Sequence, residues 1–244
     1  MKAIGITIKG IEDVASDEVK ELINAKPAVD ETVVVFTPKK LEDLCLLCYK
    51  TQSLKKVLAM LFQFKVHEDH KKTLLEIKKG IDKANIYEWL GKNTTFRVNC
   101  KRLGEHDFNS GIIEKEAGAM IVRKVKKEKK YAQKVELKNP DVFFYIYVNN
   151  NKGYFGVDFS GFNLGKRYYR VFLRNTDTNP LIAYALARLC RYDKKGNFLD
   201  SFSGSGIIPI EAAIFSSGVA VNFHQKANFA FRKLKPFKKF GFEA

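Results

Sequence analysis

The stretch that decides the fold class reads Phe198-Leu199-Asp200-Ser201-Phe202-Ser203-Gly204-Ser205-Gly206-Ile207-Ile208-Pro209-Ile210-Glu211-Ala212-Ala213. Its first apolar residues predict a short strand that ends at Asp200. The two glycines then predict a tight turn, and the apolar run after Gly206 predicts a helix. A strand, an acidic strand end, a glycine turn and a helix are typical of an α/β domain that binds a nucleotide-like cofactor. The alternative is an ordinary strand-turn-helix corner without a ligand.

Two familiar phosphate-binding motifs do not fit this stretch. The dinucleotide fingerprint needs a third glycine where Pro209 stands. A Walker loop needs a Gly-Lys-Ser/Thr sequence after the turn, and none follows. The glycine turn therefore indicates a different class of cofactor site.

The residues before the turn predict layered α+β structure. Alternating isoleucines from Ile4 to Ile8 predict a first strand, and the following segments predict a β-α-β-α-β order over the first 66 residues. A second unit starts with a strand at 94–102 and a helix at 111–127. Asn179-Pro180 is a good helix start. We therefore predict three domains, at 1–66, 67–170 and 171–244.

The composition predicts a polyanionic partner. The chain of 244 residues has 43 Lys and Arg against 27 Asp and Glu, a formal net charge of +16. Such an excess attracts nucleic acid over several ångströms. The alternative is a Lys-rich surface that serves solubility.

The cysteines and the N-terminus exclude several other classes of protein. Cys45 and Cys48 have the spacing of half a zinc site, but no second pair completes it. They fit core-facing thiols on a helix better, so we predict no metal. No apolar run approaches the roughly 18 residues of a membrane span, and no signal peptide is recognisable. We expect no membrane contact and a cytoplasmic location.

Residues 94–170 resemble a THUMP domain, an RNA-binding module of RNA-modifying enzymes. The resemblance rests on the strand at 94–102, Gly104-x-His106-x-Phe108, the segment 135–141, and Leu-Gly-Lys-Arg-Tyr-Tyr-Arg at 164–170. Residues 1–66 resemble the ferredoxin-like domain that precedes THUMP in such enzymes. The resemblance implies binding to the 3′ acceptor end of tRNA.

Basic and aromatic side chains of this region are the candidate RNA contacts. Cations supply phosphate contacts, and a tyrosine can stack on an unpaired base. For the cations at the end of the helix, the alternative is a solvated helix end whose charges complement the helix dipole. The candidates are Lys101, Arg102, Lys124, Lys127, Lys166, Arg167, Tyr169 and Arg170, with Tyr168 as an alternative stacking residue. His106 is expected to be a structural loop residue.

The glycine turn resembles the first motif of S-adenosylmethionine-dependent methyltransferases. The THUMP-linked branch that methylates guanine N2 has the pattern Asp-Pro-Phe-Cys-Gly-Ser-Gly-Thr before an Ile/Leu-Glu-Ala-Ala helix. Ser201, Ser203 and Ile207 replace the Pro, Cys and Thr of that pattern. The resemblance implies S-adenosyl-L-methionine as cofactor, with a half site formed by Asp200, Phe202, Gly204, Ser205, Gly206 and Glu211.

The catalytic motif of that family, Asn/Asp-Pro-Pro-Tyr, is absent from the sequence. Asn139-Pro140-Asp141 imitates it but lacks the second Pro and the Tyr, so no catalytic residue is assigned. The expected fold is a ferredoxin-like and THUMP half followed by the first part of a Rossmann-like methyltransferase domain, truncated. A doubly wound sheet needs several buried strands, so we expect a second polypeptide to supply the rest. This chain alone is then inactive.

Two functions follow from these expectations. The first is the tRNA-binding part of a tRNA (guanine-N2) methyltransferase. The alternative is a non-catalytic THUMP RNA-binding protein, a truncated remnant of such an enzyme. The tail from Phe223 to Phe237 is expected to be an amphipathic connection that packs on the catalytic domain.

Overall fold

A computed structural model describes residues 1–172, 174 and 177–238. The chain folds into two compact units, each built from separate stretches. The first unit combines residues 58–161 with the residues from Ala230 onward, and the second combines residues 2–57 with 162–229. The predicted domains, divided at residues 66 and 170, are each one continuous stretch, whereas each unit combines stretches that are distant in sequence but packed together. The three domains stay a prediction.

The second unit begins with a small antiparallel sheet. Its strands β1 and β2 both pair with β3, from Ala3 opposite Phe36 and from Ala28 opposite Val35. Sequence reasoning predicted β3 but missed β2, because β2 has only three residues, two of them exposed. The elements are β1 (Ala3–Ile6), α1 (Glu12–Ile23), β2 (Ala28–Asp30), β3 (Val33–Phe36) and α2 (Leu41–Lys50).

The first unit contains a mixed sheet in the order β4-β8-β7-β5-β6. Strand β5 pairs in parallel with β6 and β7, whereas β8 pairs antiparallel with β4 and β7. The fully buried rings of Phe96, Phe144 and Phe155 pack at its centre. The elements are β4 (Lys56–Lys65), α3 (His70–Lys83), β5 (Thr95–Leu103), α4 (Ser110–Lys129), β6 (Lys134–Val135), β7 (Val142–Asn149) and β8 (Lys152–Asp158).

Two further helices, α5 (Pro180–Leu189) and α6 (Ile207–Ser217), complete the second unit. The side chain of Asn179 accepts a hydrogen bond from the N–H of Leu181 at 3.0 Å, which confirms the predicted helix start. Helix α5 packs on α1 and α6, with Tyr184 buried between them.

The predicted strand before the glycine turn is not formed. Residues 197–200 have no regular structure, and Leu199 is 87% exposed. A strand needs a hydrogen-bonding neighbour, and among the described residues none lies beside this stretch. The prediction of a strand was therefore wrong for this structure, although the turn and helix α6 follow as expected.

The tail forms short 3₁₀ turns at Phe223–Asn228, Ala230–Lys233 and Lys235–Phe237. From Ala230 on, it packs within the first unit, where the rings of Phe231 and Phe237 contact Phe159. The expectation that this part packs on the catalytic domain was wrong, because its phenylalanines complete the core beside the mixed sheet. Lys239, a cation just after this tail, lies outside the described residues.

Candidate functional site

The glycine turn enters helix α6 through left-handed backbone. Gly204 has a φ of +51° and Gly206 a φ of +74°, a region that strains other residues. Gly206 is the residue that caps the start of α6, and no side chain caps that helix. The N–H groups of its first turn therefore have no side-chain partner, an arrangement that suits an anionic or polar ligand.

A cleft of about 440 Å³ lies beside this turn, entirely within the second unit. Gly204, Ser205, Tyr169 and Arg170 are among the residues that line it. Its volume falls in the range of small-molecule sites, about 300–1,000 Å³. The cleft is thus large enough for a cofactor-sized molecule.

One ion pair marks the polar side of the cleft. Arg170 Nη2 lies 3.1 Å from Asp177 Oδ2. The pKa of Asp177 is held below its usual value, first by the backbone N–H of Arg174, then by Ser205 and Arg170. Asp177 is therefore ionised, and Arg170 is engaged with it rather than free to meet an RNA phosphate.

Only one oxygen of the Asp200 carboxylate accepts a hydrogen bond among the described residues. Its Oδ1 accepts a hydrogen bond from the N–H of Phe202 at 3.1 Å. Its Oδ2 is buried, with no hydrogen-bond partner among the described residues. A buried carboxylate oxygen without a hydrogen-bond partner costs free energy. A ligand that donates a hydrogen bond to this oxygen would therefore bind favourably. The ring of Phe202, in contrast, is 95% exposed.

Glu211 and Arg167 do not face the cleft but pair with each other. Both side chains are fully buried, and Arg167 Nε lies 2.7 Å from Glu211 Oε1. The Arg167 guanidinium also donates to the backbone oxygens of Gln52 at 2.7 Å and Leu164 at 2.6 Å. Each of its three nitrogens donates a hydrogen bond within the protein. Contact with RNA or with a cofactor would require this network to open.

Two more side chains donate hydrogen bonds to the Glu211 carboxylate. Gln52 Nε2 donates to Glu211 Oε2 at 2.7 Å, and the Tyr169 hydroxyl donates to Oε1 at 2.5 Å. Burial and the adjacent Glu211 charge raise the pKa of Tyr169, so its hydroxyl stays protonated. Tyr169, predicted to stack on RNA, is therefore engaged as a hydrogen-bond donor. Sequence reasoning missed Gln52 because it lies far from α6 along the chain.

The remaining RNA candidates divide into exposed and engaged side chains. Lys101, Lys127 and Lys166 are exposed. Lys124 is buried, and its ammonium donates to the backbone oxygen of Asp82 at 2.6 Å. This amine supports the packing of α3 on α4, so the structure contradicts its prediction as a phosphate contact. Arg102 is half-buried, with its guanidinium over the Phe108 ring at 5.3 Å.

Other classes of site find no support in the described residues. No group of three or more His, Cys, Asp or Glu side chains there has the arrangement of a metal site. His106 Nε2 lies 2.8 Å from the backbone oxygen of Asn150, a contact that holds its loop. Within the part of the chain that the structure covers, no helix is long and apolar enough to cross a bilayer.

Two family models match the chain on either side of residue 160. Residues 71–158 match the THUMP domain, and residues 167–240 match the RMKL-like methyltransferase domain. The chain carries a THUMP domain and an RMKL-like methyltransferase region. The resemblances drawn from the loop at Gly104 and from the glycine turn are thereby confirmed. The THUMP match covers strands β5 to β8 of the mixed sheet, and the methyltransferase match covers the residues that line the cleft.

Relatives of known sequence include proteins named as tRNA methyltransferases and others named as ribosomal RNA large subunit methyltransferases. A tRNA (guanine(6)-N2)-methyltransferase of Methanocaldococcus jannaschii is 31% identical over 158 residues, 64% of this chain and 42% of the relative. The protein of the same name from Archaeoglobus fulgidus is 27% identical over 227 residues, 92% of this chain and 55% of the relative. The chain thus spans about half the length of these relatives.

Solved structures show the same fold. A predicted N6-adenine-specific DNA methylase from Listeria monocytogenes matches with a TM-score of 0.79 and 20% identity, over 98% of this chain and 60% of that one. TrmN from Thermus thermophilus matches with a TM-score of 0.65 and 24% identity, over 96% of this chain and 69% of that one. A putative methyltransferase complexed with SAH matches with a TM-score of 0.78 and 21% identity, over 96% and 60%.

Proposed function

We propose that this chain binds tRNA through its THUMP domain and forms one side of the S-adenosylmethionine pocket of a tRNA (guanine-N2) methyltransferase. The observation that carries the proposal is the cleft beside the glycine turn, in the region that matches a methyltransferase domain, with the unpaired Asp200 oxygen four residues before Gly204 in the chain. Relatives with the guanine-N2 name support the substrate class.

The residues around the turn fit the cofactor chemically. When bound, S-adenosylmethionine supplies the methyl group that is transferred. Gly204 and Gly206 have no side chain, so the backbone approaches a ligand closely. The free oxygen of Asp200 accepts from, or pairs with, the cationic methionine portion of the cofactor. Ser205 offers a hydroxyl on the cleft wall. Glu211 contributes indirectly, by holding Tyr169, another residue that lines the cleft.

Exposed lysines are the proposed contacts to the RNA backbone. Lys101 on β5, Lys127 on α4 and Lys166 in the following segment present their ammonium groups to solvent. Each neutralises one phosphate and releases counterions, so affinity falls as salt rises. With a formal net charge of +16, the chain has the electrostatic character that such binding needs.

The contribution of a second polypeptide stays a prediction. Large apolar side chains of the second unit are exposed: Phe172, which lines the cleft, at 88%, and Leu199 and Phe202, in the stretch before Gly204, at 87% and 95%. A partner that supplies further strands would cover such a surface. Co-expression with a candidate partner and co-purification tests this: a stable complex that methylates tRNA supports the prediction, and a fully active chain alone refutes it.

The central experiment measures both ligands on the whole chain. Calorimetry with S-adenosylmethionine is compared for the wild type and Asp200→Asn, and fluorescence anisotropy follows binding of a tRNA transcript. We expect tRNA binding, and cofactor binding that Asp200→Asn weakens. Asp193→Asn, a turn carboxylate elsewhere in the second unit, is the matched control. Binding of tRNA without the cofactor supports the non-catalytic RNA-binding alternative, and binding of neither refutes the proposal.

A further inference from the structure

Three neighbouring aromatic side chains in the second unit are exposed, and the middle one, His224, contacts the other two. The rings of Tyr168 and His224 lie 4.3 Å apart, and those of Phe223 and His224 lie 5.6 Å apart. Tyr168 is 49% exposed and Phe223 is 51% exposed. We call Tyr168, Phe223 and His224 the aromatic ledge. Scattered apolar residues are normal on a surface, but contiguous rings mark an interaction site.

The chain holds the ledge in place from behind. Asn222, fully buried, donates through its side chain to the backbone oxygen of Cys48 at 2.9 Å. Gln225 Nε2 donates to the backbone oxygen of Lys166 at 3.0 Å, which ties the 3₁₀ turn to the segment that carries Tyr168. Because these contacts fix the backbone on both sides, the rings need little ordering when a ligand arrives.

Cations flank the ledge. Lys166 is exposed two residues before Tyr168, and Lys226 Nζ lies 5.4 Å from the centre of the Phe223 ring. Rings beside ammonium groups are the combination that binds unpaired nucleotides, since bases stack on the rings and phosphates meet the cations. A purely apolar protein partner would not use these charges, and the net charge of the chain favours a polyanion.

We infer that the aromatic ledge is a stacking platform for unpaired RNA bases, with Tyr168 as its principal ring. The inference rests on the proposed RNA-binding function and specifies where single-stranded nucleotides of the substrate lie. It also replaces Tyr169 as the stacking residue, because the Tyr169 hydroxyl is bound to Glu211 whereas the Tyr168 ring is open to solvent.

The test compares an RNA hairpin that carries an unpaired 3′ tail with the same hairpin cut blunt. Loss of a stacked base costs roughly 5- to 100-fold in affinity. We therefore expect Tyr168→Ala and His224→Ala to weaken binding of the tailed RNA by about that factor, with little effect on the blunt one. Tyr168→Phe keeps the ring and should bind like the wild type. No charge is removed by Tyr168→Ala, so its salt dependence should match the wild type.

A control and four outcomes keep this inference separate from the proposed function. Leu75→Ala removes an apolar side chain of similar exposure, 55%, on α3 and should change nothing. Unchanged binding of tailed RNA by Tyr168→Ala overturns the ledge while the RNA-binding function stands. If Tyr168→Ala weakens binding of tailed and blunt RNA equally, the inference about the ledge is also overturned. It is likewise overturned if Tyr168→Ala binds RNA normally but no longer co-purifies with another polypeptide. Failure of the wild type to bind either RNA refutes the proposed function itself.

Discussion

Replacing Arg167 by Met should destabilise the second unit strongly. The guanidinium makes four hydrogen bonds, to two Glu211 oxygens and to the backbone oxygens of Gln52 and Leu164. Met fills a similar volume but leaves a buried carboxylate without a counter-charge. Breaking a buried ion pair on one side costs about 3–5 kcal/mol. Since whole domains are stable by only about 5–15 kcal/mol, this is a large share.

The size of the effect can be read from urea unfolding followed by circular dichroism. The free energy of unfolding falls by about 1–3 kcal/mol per molar urea, so the urea concentration at the unfolding midpoint should fall by roughly 2 M. Lys166→Met removes the same charge from the adjacent exposed position and should leave the midpoint unchanged. The pair of variants therefore separates burial from net charge.

A double-mutant cycle then tests the stated cause. Glu211→Gln removes the charge that Arg167 balances and keeps one acceptor oxygen, whereas the carboxylate offers one oxygen to Gln52 and the other to Tyr169. The double variant Arg167→Met with Glu211→Gln should be more stable than Arg167→Met alone, because no bare carboxylate remains buried. A loss below about 1 kcal/mol for Arg167→Met, or strictly additive losses, would refute the network as the cause.

Three further outcomes are expected. Lys124→Ala should lower the unfolding temperature, because the backbone oxygen of Asp82 loses its hydrogen-bond donor. Lys127→Ala should leave the unfolding temperature unchanged. It should reduce the slope of log affinity for tRNA against log salt concentration by about one. Gly206→Ala should cost about 1–2 kcal/mol in thermal unfolding, since its φ of +74° strains any side chain, and Gly206→Asn should cost less. Iodoacetamide at pH 8, followed by mass spectrometry, should modify the exposed Cys190 before Cys100, whose pKa burial raises to about 12. Rapid modification of Cys100 would contradict its burial.

Local patterns in the sequence predicted much of the fold. The alternation of apolar residues located β5, and the Asn179-Pro180 start located α5, because each depends on neighbours along the chain. The glycine turn and α6 were equally local. The strand at Phe198–Asp200 could not be predicted reliably, because strand formation depends on a neighbour that the sequence pattern does not name. Strand β2 was too short to show a period.

The candidate site was predicted less well than the fold, for a related reason. Residue type suggested that Arg167, Lys124 and Tyr169 face RNA, but a cation faces solvent only if no internal acceptor lies nearby. For Lys124 the acceptor is a backbone oxygen on the neighbouring helix α3. Such an acceptor leaves no pattern in the sequence. Only the turn, where a left-handed backbone demands glycine, could be assigned from residue type alone.

The buried network also changes what a loss of ligand binding would mean in this protein. Glu211 extends from α6, the helix that begins at the glycine turn, and Tyr169 lines the cleft beside that turn. Their hydrogen bond therefore ties α6 to the segment that carries Tyr169. Under the proposed function, we expect changes at Arg167 or Glu211 to act on a ligand through the shape of the cleft, and a change at Asp200 to act on the ligand directly. Weakened cofactor binding identifies a contact residue only when the stability of the second unit is unchanged.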